Sequence, residues 1–273
     1  MRRTLLCVAV RSDETTPQMG VFEQPAGHVM RYAVISDIHS NLEALIAVLE
    51  RIDALDVNRI VCLGDIVGYN ANPNECVEII RERKIVSALG NHDAAVALLH
   101  DTRDFNQLAA SAIDWTRLSL TDANREFLKT LPQRLVIDKR FMGVHGWVND
   151  YFRYITGAQD AKDNFALLEE DGNLKLCFFG HTHVPISYIE NEGTVFINMD
   201  SALTQPRGAA MLVNPGSVGQ PRDADPRASF VIYDSGAQSI SFYRVDYDIQ
   251  TTARKIIEVG LPERLAERLR LGW

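Results

Sequence analysis

The sequence predicts an α/β protein: a four-layer αββα sandwich of two mixed β-sheets with helices on the outer faces. Three observations predict it. Short apolar runs alternate with helical-period segments over residues 31–89, as expected of parallel strands joined by right-handed crossovers. The second half is rich in strand-type runs, enough for another sheet. No repeat, low-complexity tract or long linker interrupts residues 30–273, so one domain is expected there.

The elements follow in order. RYAVIS (31–36) is a short apolar run of strand type. SNLEALIAVLERI has apolar residues at helical spacing, and Ser40 with Glu43 forms an S-x-x-E capping box, making Ser40 the expected cap. RIVCL (59–63) is a second strand. ANPNECVEIIRERK is a second helix, with Asn72 as cap, Pro73 at the first helical position and Glu75 completing another box. IVSAL (85–89) is a third strand. A mostly helical insertion is expected around residues 94–131, ending at Pro132. RLVID and FMGVH read as strands, residues 158–171 as helix and KLCFF (175–179) as strand. PISYIE, TVFIN, AAMLVN, ASFVIYD and SISFYRVDY are further strands, and residues 249–271 a closing amphipathic helix.

Residues 1–29 lack any clear period. MRR followed by TLLCVAV has the outline of an export signal, but RSDETTP follows and no small-x-small cleavage site is evident. These residues are read as an N-terminal extension, disordered or left by a misassigned start, with Met30 heading the regular pattern.

Composition narrows the partners. No apolar run approaches the length of a membrane span. The formal net charge is −8 and there is no Lys/Arg run, which disfavours a nucleic-acid partner. A small anionic substrate stays compatible, because a bound metal reverses the local sign of charge. The four cysteines form no CxxC pair, and Cys62 and Cys177 lie in apolar runs as small core residues. Nothing implies a disulfide framework, so a reducing cytoplasm is the expected location.

The chemistry lies at the strand ends. RYAVIS is followed by Asp37-Ile38-His39, RIVCL by Gly64-Asp65, and IVSAL by Gly90-Asn91-His92-Asp93. FMGV is followed by His145-Gly146 and LCFF by Gly180-His181-Thr182-His183. The carboxyl ends of parallel strands converge on one edge, where α/β proteins bind ligands. Five of the seven histidines fall in these clusters, and His28 and His100 read as surface residues. One such cluster is explained as a turn or cap, and five are not. Carboxylate, imidazole and one amide oxygen, without thiolate, suit Mn²⁺, Fe or Zn²⁺. The ligands outnumber what one ion uses. Two ions about 3.5–4 Å apart sharing a carboxylate would use them all, polarise phosphoryl oxygens and acidify a bridging water, as phosphoester hydrolysis needs.

D-x-H, GD, GNHD, H and GHTH, in that order, resemble the calcineurin-like metallophosphoesterase superfamily. SDIHSN, GDIVGYNANPNEC, NPGSVGQPRD and YDIQTTARKIIEVGLPERLAERL resemble a bacterial subfamily grouped with diadenosine tetraphosphatases and serine/threonine phosphatase-like proteins, over essentially residues 30–273. The resemblance implies one divalent ion on Asp37, His39 and His183, another on Asn91, His145 and His181, and Asp65 bridging them. Mn²⁺ is the first expectation, with Fe, Zn²⁺ or Ni²⁺ as the others. It implies that His92 stands beside the scissile phosphate as the catalytic residue, steadying charge or protonating the leaving group. Asp93 has no implied role beyond capping the following helix.

The chain departs from the family's protein phosphatases, which carry GDxVDRG and GNHE. Here Gly68 replaces the Asp that orients the catalytic His, and Tyr69 replaces the Arg that grips phosphate. His145-Gly146-Trp147 adds no further ligand. Candidate substrate contacts are Tyr69, Trp147, Tyr151, Arg153 and Arg222, with Tyr154 nearby. Trp147, Tyr151, Arg153 and Tyr154 can stack on a base and grip a phosphate, or pack a loop. Asn214-Pro215-Gly216-Ser217 resembles a loop of the family near the site and is otherwise a turn.

The leading expectation is a phosphoesterase acting on diester or monoester bonds of small, nucleotide-like phosphorylated metabolites. A protein serine/threonine phosphatase is disfavoured by the missing DRG. A non-catalytic scaffold of the same fold is disfavoured by the retained ligands and His92, and a nuclease by the acidic balance.

Overall fold

The structure, a computed structural model, describes residues 19–22, 29–170 and 174–273. In chain order its first half comprises β1 (Met19–Phe22), β2 (Arg31–Ile35), α1 (Leu42–Asp53), β3 (Arg59–Cys62), α2 (Pro73–Glu82), β4 (Val86–Ser87), α3 (Asn91–Val96), α4 (Gln107–Ser119) and α5 (Asp122–Lys129). There follow β5 (Arg134–Ile137), β6 (Phe141–Val144), α6 (Ala158–Glu170), β7 (Leu176–Phe179), β8 (Ile186–Asn191), β9 (Thr194–Asn198) and β10 (Ala202–Thr204). The chain closes with β11 (Ala210–Asn214), β12 (Ala228–Asp234), β13 (Ser239–Val245), α7 (Ile249–Glu258) and α8 (Glu263–Leu271).

Two mixed sheets result, as the strand pattern predicts. One has six strands in the order β10-β13-β12-β2-β3-β4, the other seven in the order β1-β5-β6-β7-β11-β8-β9. β2, β3 and β4 run parallel, and so do β6, β7 and β11. Alternation decides the layers. Tyr32, Val34, Val61, Phe141, Phe178 and Val231 fill the space between the sheets. The opposite faces, with Ala33, Ile35 and Cys62 on one side and Met142, Val144 and Cys177 on the other, take α1 with α2 and α6 respectively. Cys62, Cys76 and Cys177 are buried and free, as core residues; Cys7 lies outside the described residues.

Local chemistry departs from the sequence pattern in places. Ser40 is not the α1 cap: Asn41 is, its Oδ1 accepting the Ala44 N–H at 3.1 Å. Ser40 instead has φ +58° and accepts the Gly68 N–H on its Oγ. Asn72 precedes Pro73 as expected, but its amide donates to Glu75 Oε1 and forms no side-chain bond to the helix backbone. The insertion is three helices with an irregular stretch over residues 97–106. The closing helix is two, α7 and α8, broken where Gly260 takes φ +77° and Pro262 caps the next turn. β1 falls within the expected N-terminal extension and pairs in parallel with β5, from Met19 opposite Arg134 to Phe22 opposite Ile137. The rest of that extension, apart from Val29, lies outside the described residues, as does His28.

Candidate active site

The two parallel triplets end at the same edge of the sandwich. Asp37 and His39 follow β2, Asp65 follows β3, and Asn91 and His92 open α3 after β4. His145 and His181 follow β6 and β7 from the other sheet, with His183 two residues on. All eight side chains are buried. Asp37, His39, Asp65, His181 and His183 have left-handed backbone, φ between +49° and +69°. That conformation is costly for residues with a Cβ and persists where surrounding bonds enforce it. Asp37 N–H donates to Gly64 O and His39 N–H to Asp65 O, lashing the ends of β2 and β3 together. The Asp65 carboxylate fills the space a Cβ on Gly90 would need, with Oδ1 2.1 Å from that position.

The histidines share one design. His39 Nδ1 meets Val67 O at 3.1 Å, His145 Nδ1 meets Leu63 O at 3.1 Å, His183 Nδ1 meets Gln220 O at 2.6 Å and His181 Nε2 meets Phe152 O at 3.0 Å. A carbonyl only accepts, so each of these nitrogens carries the hydrogen, and the opposite nitrogen presents a lone pair whenever the ring is neutral. These opposite nitrogens face one another: His39 Nε2 lies 3.1 Å from His183 Nε2, and His145 Nε2 lies 3.2 Å from His181 Nδ1. Asn91 Oδ1 is 3.0 Å from His145 Nε2. Asp37 Oδ1 is 3.2 Å from His183 Nε2, while Asp65 Oδ2 is 3.5 Å from His39 Nε2 and 3.3 Å from His145 Nε2. Asp65 Oδ2 is buried with no hydrogen-bond partner.

The donors form two sets that could each hold a cation, Asp37 with His39 and His183, and Asp65 with His145 and His181; Asp65 also reaches His39 and His92. Burial holds His39 and His183 below the ordinary imidazole value and takes His181 down to about 3. Burial also acts against a proton on His145, but the Asp65 carboxylate outweighs it and pushes His145 up to about 9. Burial works against ionisation of Asp37, and the charge of His183 overrides it to hold the carboxyl below the usual range.

His92 stands at the edge of this set. Its N–H donates to Asp65 Oδ1 at 2.9 Å, and burial draws its imidazole down to about 4. The ring packs against His39, Tyr69 and Phe105 at centroid distances of 4.8, 4.5 and 5.1 Å. Its Nδ1 is buried without a partner. A Cβ on Gly68 would lie 2.5 Å from that Nδ1, so the ring occupies the space a side chain at position 68 would take. Aromatic packing therefore orients His92. Asp93 is buried; its carboxylate accepts the Gly90 and Val67 N–H groups, tying the start of α3 to the loop after β3. Burial first, and then Asp65, raise Asp93 to about 7.

The expected substrate contacts divide. Tyr69 and Arg222 reach the site: Arg222 Nη2 lies 3.4 Å from the Tyr69 hydroxyl and 3.1 Å from Gln220 Oε1. Trp147 does not. It is buried beside α6 and donates its Nε1–H to Tyr154 O, because the loop after His145 needs a hydrophobic anchor. Arg153 is spent on the Trp147 face, at 3.4 Å, and Tyr151 is partly buried against the hydrophobic core and packs on Phe152. Tyr154, in contrast, stacks on His181 at 3.7 Å. A cavity of about 90 Å³ opens between Tyr69, His92, Phe105, Phe152, Tyr154 and His181. Phe105 and Phe152 carried no sequence signal; an aromatic in an irregular loop is indistinguishable from core packing until the loop is placed. His100 lies on this side, half-buried against Phe152 at 4.0 Å. Asn214 donates to Gly180 O and Thr182 Oγ1, and Ser217 Oγ donates to Asp37 O, so the Asn-Pro-Gly-Ser loop braces two ligand-bearing turns.

Comparison with known proteins identifies the family and the fold. A model of the calcineurin-like phosphoesterase superfamily domain matches residues 30–237. An uncharacterized protein of Methanocaldococcus jannaschii is 41% identical over 253 residues, covering 88% of this chain and 97% of that one. A metallophosphoesterase structure from Sphaerobacter thermophilus has a TM-score of 0.77 at 40% identity, covering 90% of this chain and 100% of its own. A hypothetical protein of Pyrococcus horikoshii shares the fold, with a TM-score of 0.72 at 21% identity over 89% of this chain and 98% of that one. The relatives include an archaeal protein, so the grouping is not confined to bacteria. Among the described residues no helix is long and apolar enough to cross a membrane. Every cluster described above lies inside the matched span, and the chain belongs to the calcineurin-like phosphoesterase superfamily.

Proposed function

We propose that the chain is a dinuclear metal-dependent phosphoesterase that hydrolyses phosphodiester or phosphomonoester bonds of small, nucleotide-like metabolites in the cytoplasm. One observation carries this reading. Four imidazoles, two carboxylates and one amide oxygen converge, with neighbouring candidate ligand atoms 3.0–3.5 Å apart. Such a set suits cations, which would displace the proton that Asp65 holds on His145, and backbone carbonyls fix the ring orientations in advance. In this reading Asp37, His39 and His183 hold one ion, Asn91, His145 and His181 the other, and the unpartnered Asp65 oxygen bridges. Mn²⁺ is the first candidate for both. When bound, such a pair polarises phosphoryl oxygens and acidifies water.

The chain's own groups do the rest. Arg222 supplies the guanidinium that position 69 lacks, and Tyr69 orients it. His92 steadies or protonates the leaving oxygen from its aromatic box. The narrow cavity favours a small phosphorylated substrate over a phosphoprotein. The test uses metal-stripped protein, with p-nitrophenyl phosphate and its bis ester as substrates. Turnover is expected only with added Mn²⁺ and is lost in Asp65→Asn. A folded, metal-loaded protein inert to both esters would overturn the proposal.

A further inference from the structure

β9 closes one edge of the seven-stranded sheet, and among the described residues no strand lies on its outer side. Edge strands expose unpaired backbone groups, and proteins blunt them with shortness, proline or charge. The edges of the six-stranded sheet are blunted by length: β4 has two residues and β10 three. β9 has five, reads TVFIN, and carries neither proline nor charge. It is apolar on both faces instead. Ile197 lies opposite Tyr188, on the face that packs with α6, and Phe196 lies opposite Ile189, on the inner face. Phe196 and Ile197 are each 54% exposed, and Met199 just beyond them is 69% exposed.

The hairpin fixes which backbone groups are free. Glu192 and Gly193 both have positive φ, +51° and +80°, the pattern of a two-residue type I′ turn. In such a hairpin the flanking residues, Asn191 and Thr194, exchange both hydrogen bonds, and the bonding alternates along the strands. Thr194, Phe196 and Asn198 therefore turn their backbone groups toward β8. Val195 and Ile197 turn theirs outward. The segment also has a symmetry: one polar residue, three apolar, one polar. It reads alike in both directions, which suits a strand pairing with its own copy about a twofold axis.

We propose that two copies of the chain associate through β9, antiparallel about a twofold axis at Phe196, joining their seven-stranded sheets into one. Val195 of each copy then faces Ile197 of the other, and both pairs exchange backbone hydrogen bonds. Phe196 meets its own counterpart at the non-hydrogen-bonded position between them, where side chains approach most closely. Thr194 meets Asn198 at either end. Glu192 and Asp200 fall outside the paired residues, and Asp200 accepts from Asn198 Nδ2 at 2.8 Å.

The experiment is light scattering after size exclusion, on the full chain at micromolar concentration. The native chain is expected at twice the chain mass. Phe196→Asp sets two carboxylates face to face at the axis, and is expected at the chain mass with an unchanged circular dichroism spectrum. A monomeric native chain overturns the proposal, whether its edge is then free or taken by another protein. A dimer that survives Phe196→Asp also overturns it, because the copies then meet elsewhere. Single cysteines test the axis independently of that variant, in a Cys7→Ser background, since Cys62, Cys76 and Cys177 are buried. Phe196→Cys is expected to form an interchain disulfide on mild oxidation, its Cβ about 4.5–5.5 Å from its counterpart before the bond closes. Ile197→Cys, facing Val195, is expected to form little. Equal or reversed yields overturn the pairing.

Discussion

At the scale of single residues, Gly68 shows how one atom governs the site. The protein phosphatases of the superfamily place an aspartate here, and this chain has neither the carboxylate nor room for one. With φ at +101° and the His92 ring in the space a Cβ would take, position 68 disfavours any side chain. Gly68→Ala should therefore cost about 1–3 kcal/mol of stability through backbone strain. It should also displace His92 and lower kcat toward that of His92→Ala, itself expected to fall about 10²–10⁴-fold. Bound Mn²⁺ should stay near the native content in both variants, because neither position supplies a donor in the proposed set. Metal analysis beside steady-state kinetics checks this; a normal kcat in Gly68→Ala would refute the coupling. The sequence made the acceptor residues legible because each follows an apolar run. It could not show the tautomers or the left-handed backbone, since distant carbonyls such as Val67 O and Gln220 O set them. Nor could it separate Trp147, which anchors a loop, from Tyr154, which stacks on His181. Their neighbours in sequence are alike and their neighbours in space are not.

At the scale of elements, legibility followed burial. β2, β3, β6 and β7 are continuous apolar runs because both their faces are covered, and continuous runs are easy to see. β10 has three residues, two of them exposed, and leaves no pattern. The closing segment keeps one amphipathic period across 249–271, which hides the break, although Gly260 and Pro262 are stop and restart signals. The break has a use: it folds α8 back beside α7, so that Leu269 packs in the cluster with Tyr69. Leu269→Ala should cost about 2–5 kcal/mol, the range for a buried leucine. Arg270→Ala on the exposed face of the same helix should stay within about 0.5 kcal/mol. Urea unfolding reads both, as a lowered midpoint at unchanged slope for Leu269→Ala alone. Equal effects would mean that α8 is not anchored through its inner stripe.

At the scale of the molecule, the candidate ligands divide between the sheets. Asp37, His39, Asp65 and Asn91 come from connections of the six-stranded sheet, and His145, His181 and His183 from connections of the seven-stranded one. Both halves of the sandwich thus bring candidate ligands to one edge, where they crowd within hydrogen-bond distance of one another. Cations bound there would fasten one sheet to the other. Anything that binds the folded state alone raises stability by RT ln(1 + [L]/Kd), about 4 kcal/mol at a thousandfold excess over Kd. For a chain of this size that corresponds to a rise in melting temperature on the order of 10 °C. Scanning calorimetry of metal-stripped protein, with and without Mn²⁺, should show that rise, and chelation should reverse it. Asp65→Asn should lose most of the gain, because the bridging oxygen would serve both ions and both sheets. A melting temperature indifferent to Mn²⁺ would mean that the convergence of acceptors does not bind that ion, and the proposed chemistry would lose its basis in the fold.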